Sequence, residues 1–302
     1  MPVHIDINRG REVAERLYQA FRTTGIHGRT DMPEDQPPCG VAEGSLEHVL
    51  FITLAVAIDY QRDANQVWDS ARRTFEDDNT RYLFDPSALH DREFAQVKQD
   101  MQTYQLSKKP DRDAGIWRTI GVTLHMKWGG DPRRFLEACG WDAPTVLKRL
   151  KTDTHQDGGR KRPDFPNLRG DKIGPLWLRM LRNNVGIADL RGLKLVPIPV
   201  DINIARATLT TGVVRGAYAG RLQEVFSYIR RAWLESVRGL TAADGRPMIA
   251  LDVDEPLWHL SKYGCTDRTE SGHCEHLAQC EARKFCTGGQ VIVQGDHVEV
   301  NT

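Results

Sequence analysis

Apolar positions along this chain recur mostly with the helical period. Residues 5–22 place Ile7, Val13, Leu17, Ala20 and Phe21 on one side of a first amphipathic helix. A loop rich in Gly, Pro and Asp follows from Thr23 to Gly44. Ser45 then reads as the N-cap of a strongly apolar helix running through Ile58, with Glu47 in its first turn. Its run Val49–Ile58 spans ten residues, half of what a membrane span needs, and so predicts a buried core helix. Ala64–Phe75 carries Val67, Trp68, Ala71 and Phe75 on one face, and helical spacing returns at 94–104, 115–128 and 133–138. Pro144 suits the first position of a helix reaching Lys151.

The segment from Thr152 to Gly170 is polar, broken by Pro163 and Pro166, and reads as loop. Helices are expected at Pro175–Arg182, from near Asp201, and at Leu222–Val237, where Leu222, Val225, Phe226, Ile229 and Trp233 form the clearest stripe. Strand alternation shows only in the C-terminal VIVQGDHVEV, a hairpin turning at Gln294-Gly295-Asp296. The pattern predicts about ten short helices and little sheet.

Composition narrows the class. With 302 residues, 40% hydrophobic and 27% charged, the chain is that of a globular protein of one large or two smaller domains. Its 41 basic and 41 acidic residues cancel, so any nucleic-acid contact must come from a local patch. One basic stretch runs from Lys148 to Lys172 (Lys148, Arg149, Lys151, Arg160, Lys161, Arg162, Arg169, Lys172), interleaved with Asp153, Asp157, Asp164 and Asp171. Its plain reading is a solvated loop around Asp157-Gly158-Gly159. The N-terminal MPVHIDINRGREVAERL has no apolar signal region, so a cytoplasmic protein with reduced thiols is expected.

That compartment gives weight to Leu257–Cys286, where Cys265, Cys274, Cys280 and Cys286 stand as C-x8-C-x5-C-x5-C. Four thiolates on one loop suffice for an iron–sulfur cluster or one zinc ion; two disulfides are the other reading. Cys39 and Cys139 read as free thiols. At Gly170-Asp171-Lys172-Ile173-Gly174-Pro175 a turn feeds a helix, a geometry that suits a phosphate and is also ordinary loop chemistry. Asp201, between the extended Val196–Val200 and a helix, is most simply an N-cap; the functional reading is a carboxylate held by the helix N-terminus. His48, His125 and His155 read as core or surface histidines, and Trp68, Trp117, Trp128, Trp177 and Trp233 as core packing.

In order and spacing these pieces resemble the helix–hairpin–helix DNA glycosylases of the endonuclease III type. The likeness rests on the glycine hairpin at 170–174, on V-D-x-x-I-x-R at 200–206, on the four-cysteine loop, and on Ile58-Asp59-Tyr60-Gln61, which lines up with the family's L-S-x-Q. It covers residues 45–286, long stretches matching only as helices, and extends to bacterial proteins carrying M-P-E-D (32–35) and A-I-D-Y-Q-R-D-A (57–64).

The resemblance implies an all-α, two-lobed fold with a DNA cleft, a four-cysteine cluster loop and a small C-terminal β-hairpin. Residues 46–190 would form the helix–hairpin–helix lobe; 1–45 with 191–302 would form the other, holding the cluster loop (257–286). It implies a monomeric base-excision N-glycosylase that flips a base out of double-stranded DNA. Asp201 would be the catalytic carboxylate. Gly170, Lys172, Ile173 and Gly174 would grip a phosphate, Gln61 would fill the gap left by the flipped base, and Cys265, Cys274, Cys280 and Cys286 would hold a 4Fe–4S cluster. Three departures qualify this. Leu176, after Pro175, stands where bifunctional members carry the Schiff-base lysine, so a monofunctional enzyme without lyase activity is expected. Ile202-Asn203 replaces threonine–histidine. The cysteine spacing is wider than C-x6-C-x2-C-x5-C, which leaves zinc open, with His273 or His276 replacing a thiolate. Two other functions stay open: an inactive glycosylase-like module binding modified or distorted DNA, and an N-glycosidase of free nucleosides or nucleotides.

Overall fold

Short polar residues set most of the helix starts in the computed structural model, which describes residues 3–302. Asp6, between β1 (Val3–Ile5) and α1 (Ile7–Thr23), accepts a hydrogen bond from Arg9 N–H. Ser45 caps α2 (Leu46–Ala57) and Asp63 caps α3 (Ala64–Glu76) in the same way. Asp85 caps α4 (Pro86–Asp91), and α5 (Phe94–Asp100) and α6 (Pro110–Trp128) follow. Asp131 and Asp142, each shortly before a proline, cap α7 (Pro132–Ala138) and α8 (Ala143–Thr152). No helix among the described residues is long and apolar enough to cross a membrane.

The chain divides into two compact units, Met32–Leu193 and Met1–Asp31 with Lys194–Thr302. In the first, α2 is buried on every side from His48 to Ala57, which is why its sequence is apolar rather than striped. Phe51 meets the rings of Trp68, Phe75 and Phe84, and Phe84 meets Trp117, with centroids 5.1–5.9 Å apart. The indole N–H groups of Trp117 and Trp177 donate to Leu83 O and Thr53 Oγ1, so these buried tryptophans leave no polar atom unpaired. Glu34 forms a wholly buried ion pair with Arg179 of α9 (Ile173–Asn183), fixing the M-P-E-D segment to that helix. Burial still raises the Glu34 carboxyl to about 7.

Residues 152–170 are not all loop. Thr154–Asp157 (β2) and Arg160–Pro163 (β3) pair as an antiparallel hairpin whose turn is made by Gly158 (φ +54°) and Gly159 (φ +78°). Both strands are largely exposed, so no apolar alternation marked them.

In the second unit, α11 (Phe226–Ser236) and α12 (Asp254–Lys262) pack with α1, and α10 (Ile202–Thr210) packs on α12 and α11. The predicted stripe from Leu222 begins as a 3-10 turn, Leu222–Val225, before α11. The all-α expectation needs correction here: the fold is mostly helical with small sheets. The C-terminal hairpin, β5 (Gln290–Gln294) and β6 (His297–Asn301), is half of a four-stranded antiparallel sheet, β1-β4-β6-β5, completed by β4 (Val214–Arg221). Two glycines and an arginine at each end of β4 hide its alternation, and β1 is three residues long.

Candidate functional site

The glycine hairpin opens α9. Gly170 N–H donates to Asn167 O at 2.8 Å and Gly174 N–H to Gly170 O at 3.0 Å, closing a tight turn. Asn167, at φ +64°, reaches Ala57 O at 3.0 Å and ties that turn to the end of α2. Glycine at 174 is a matter of space: a Cβ there would lie 2.7 Å from Leu168 O and 2.9 Å from Leu147 Cδ2. Because the Gly174 amide is used inside the turn and Pro175 has none, the hairpin's offer to an anion is the positive helix end and the Lys172 ammonium. The Ile173 side chain is buried, so only its backbone is in question; Lys172 is half-buried, with Nζ 3.4 Å from Asp59 O.

That contact places the hairpin beside the Gln61 turn. Gln61 is exposed at φ +53°, its Oε1 accepting from Lys109 Nζ at 2.7 Å and its carbonyl from Lys108 Nζ at 2.9 Å. The Tyr60 hydroxyl donates to buried Asp113, which also accepts from Ser107 Oγ and from the backbone N–H groups of Lys108 and Lys109 at 2.9–3.0 Å. Burial first, then the Asp113 bond, keeps the Tyr60 phenol protonated far above its ordinary range. The Arg112 guanidinium lies 4.6 Å from the Tyr60 ring centroid and Lys109 Nζ 5.4 Å from it. Lys108, Lys109 and Arg112, with Arg62 and Lys172, therefore surround one turn. Sequence reasoning missed this patch because its charges come from three separated segments; the visible signal was Lys108-Lys109 before Asp113.

The stretch that did look basic is partly compensated. Arg149 pairs with Asp153 at 2.9 Å, Lys151 with Asp171 at 2.5 Å, and Arg162 lies 3.8 Å from Asp157. His48 accepts from Gly44 N–H and His155 pairs with Asp164, as core and surface histidines do.

In the other unit, Val196, Ile198 and Val200 are buried along an extended, proline-stiffened run that delivers Asp201 to the start of α10. Five other aspartates cap helices, so capping alone does not single Asp201 out. Each of those accepts from one helix amide, whereas Asp201 Oδ1 accepts from two, Asn203 N–H at 2.8 Å and Ile204 N–H at 2.9 Å, which fixes its carboxylate. Arg206 explains the rest of the V-D-x-x-I-x-R run. Its guanidinium donates to Ser261 Oγ, Thr266 Oγ1 and Val293 O, each at 3.1 Å. Asn203 Oδ1 accepts from Ser261 Oγ at 3.1 Å, so Asn203 joins this same anchor. The aspartate helix is thereby bonded to the residue next to Cys265.

Cys265, Cys274, Cys280 and Cys286 all line one cavity, and all are free thiols, as are Cys39 and Cys139. Burial, then the neighbouring thiols, holds Cys265 well above the ordinary thiol range; burial likewise pushes Cys280 up to about 11. Cysteines that bind a cation do so as thiolates, giving up their protons on binding. The wall also carries Arg268, whose buried Nε and Nη1 meet no acceptor in the protein, and His27, whose buried Nε2 meets none either. Donors of this kind suit a sulfur-rich, anionic occupant. His276 lines the cavity but bonds Asp267 at 2.9 Å, and exposed His273 lies on an outer depression with Cys274.

No family model matches the chain, and no curated protein matches it by sequence. Its fold does match solved structures. One is a non-covalent endonuclease III–DNA complex, 13% identical, covering 95% of this chain and 97% of that one with a TM-score of 0.55. A second is a trapped endonuclease III–DNA covalent intermediate, an estranged-adenine complex, 13% identical, covering 93% and 99% with a TM-score of 0.52. Over nearly its whole length, then, this chain has an endonuclease III-like fold.

Proposed function

We propose that the protein is a monofunctional DNA N-glycosylase that hydrolyses the N-glycosidic bond of a flipped base. The observation that carries this is the endonuclease III fold over 95% of the chain, with Asp201 at a doubly bonded helix start within it. Both matched structures are endonuclease III–DNA complexes. In this reading the Asp201 carboxylate stabilises the positive charge that develops on the sugar and orients the attacking water. Lys172, Lys109 and Arg112 neutralise backbone phosphates, and Gln61 occupies the space vacated by the base. Leu176, buried in α9, offers no amine, so no Schiff base forms there and the strand is left uncut.

The cysteine cavity fits a 4Fe–4S cluster. Among the described residues, the metal-ligating atoms within 4.8 Å of one another are those of His27, Cys280 and Glu281, not a trio of the cysteines. A tetrahedral zinc, with Zn–S of about 2.3 Å, would hold its sulfurs about 3.8 Å apart. That no three of the cysteine sulfurs lie within 4.8 Å of one another among the described residues supports the cluster over a single zinc ion in this reading. Cys265, Cys274, Cys280 and Cys286 would be its ligands, and when bound it would cross-link the C-terminal loop to α12. Iron and sulfide analysis checks this directly. For activity, a panel of damaged, mismatched and modified duplexes is scored for released base, strand scission and binding. Base release without scission is expected. Tight, salt-dependent binding with no release would make the protein a recognition module, and release only from free nucleosides would remove DNA as the substrate.

A further inference from the structure

The cysteine cavity has a wall that comes from the other end of the chain. Ile26 and Arg29 exchange backbone hydrogen bonds of 2.9 and 3.0 Å, closing a two-residue turn after α1. In that turn His27 stands at φ +50°, a left-handed backbone that non-glycine residues rarely adopt, and its backbone N–H donates to Glu281 Oε2 at 3.3 Å. The result is an imidazole aimed inward. Its Nε2 is buried on the cavity wall with no partner in the protein, and a ring nitrogen, Cys280 Sγ and a Glu281 carboxylate oxygen all lie within 4.8 Å of one another. Gly264, just before Cys265, makes the room: a Cβ there would lie 2.4 Å from His27 Nε2. With φ −144°, Gly264 is not held to glycine by a left-handed backbone, so the missing side chain matters as space for the ring.

A strained residue, an empty Cβ position and a partnerless buried nitrogen converge on one place. We infer that His27 is a hydrogen-bond donor to the iron–sulfur centre at its Cys280 corner, with Nε2–H directed at sulfur; this rests on the reading of the cavity as a 4Fe–4S site. A donor to a cluster sulfur draws off electron density, favouring the reduced state and raising the reduction potential. The ring also walls that corner from water. His276, 5.7 Å away ring to ring, is committed to Asp267 and leaves this role to His27.

The test uses the purified holoprotein with its metal and sulfide content measured first. Pulsed EPR of the wild type, chemically reduced by one electron to its paramagnetic state, should show a weak nitrogen hyperfine coupling from labelled His27, the signature of a hydrogen-bonded rather than ligating ring. His27→Leu should keep its iron and its melting temperature, shift the cluster potential to more negative values, and bleach several-fold faster in air. His27→Gln, which retains an N–H donor, should recover part of the shift. A fully loaded His27→Leu protein with wild-type potential and bleaching overturns the inference. So does a strong nitrogen coupling, which would make His27 a ligand, or no coupling at all. Protein holding zinc without iron or sulfide overturns the cluster reading itself, whereas iron and sulfide present with no His27 effect leaves that reading standing and removes only this one.

Discussion

Replacing Gly174 by alanine tests whether the hairpin before α9 is as tight as its geometry says. The new Cβ would stand 2.7 Å from Leu168 O, against about 3.5 Å for an ordinary contact, so the turn must retreat by roughly 0.8 Å. Leu147 Cδ2, at 2.9 Å, is the end of a flexible side chain and moves at small cost; Leu168 O is backbone and does not. Overpacking of this kind costs about 1–3 kcal/mol, and alanine's helix propensity returns up to about 1 kcal/mol. The expected net loss is therefore about 1–2 kcal/mol in urea unfolding, with duplex affinity down several-fold as Lys172 and the helix end shift. Gly170→Ala is the control. Its nearest atom is Asn167 O at 3.1 Å, and it should cost less. If Gly174→Ala is as stable as wild type and binds duplex equally well, the tight-turn account is wrong.

Charge and pH give two further expectations. Replacing Lys109 and Lys172 together by alanine should make the slope of log affinity against log salt shallower by about two, measured by fluorescence anisotropy. Lys151→Ala, already paired with Asp171 at 2.5 Å, should change it little; the opposite ranking would move the phosphate contacts to the 148–172 stretch. His259, wholly buried and 5.3 Å ring to ring from Phe21, is held at about 4 by burial, below its ordinary 6.5. Its folded value is depressed, so the unfolded chain binds the extra proton, and stability falls as pH drops from 6.5 towards 4. At pH 5 the loss is about 2 kcal/mol. His259→Phe should remove that part of the difference between urea midpoints at pH 7 and pH 5, and a variant with an undiminished difference would refute the assignment.

How far the sequence revealed this molecule depended on whether a signal was local. Helices with a polar cap and an apolar stripe, such as α1 and α3, were legible because both cues lie within the element. The sheet was not: β1 pairs with β4 across some two hundred residues, and neither strand alternates strongly. Within the sites, Gly174 and Asp201 stood out because a turn or a proline-stiffened run precedes them. Lys108, Lys109 and Arg112 did not, since only folding carries them to Gln61. His27 was hidden for the same reason, lying in a polar loop with nothing to connect it to cysteines near the other terminus.

Asp201→Asn is the most direct test of the central claim. Asparagine caps helices as well as aspartate, so the variant should fold and bind duplex like wild type while losing only the charge. Single-turnover base release, followed by mass spectrometry on a substrate that the wild type processes, should fall by about 100-fold or more. Undiminished release by Asp201→Asn would contradict the account.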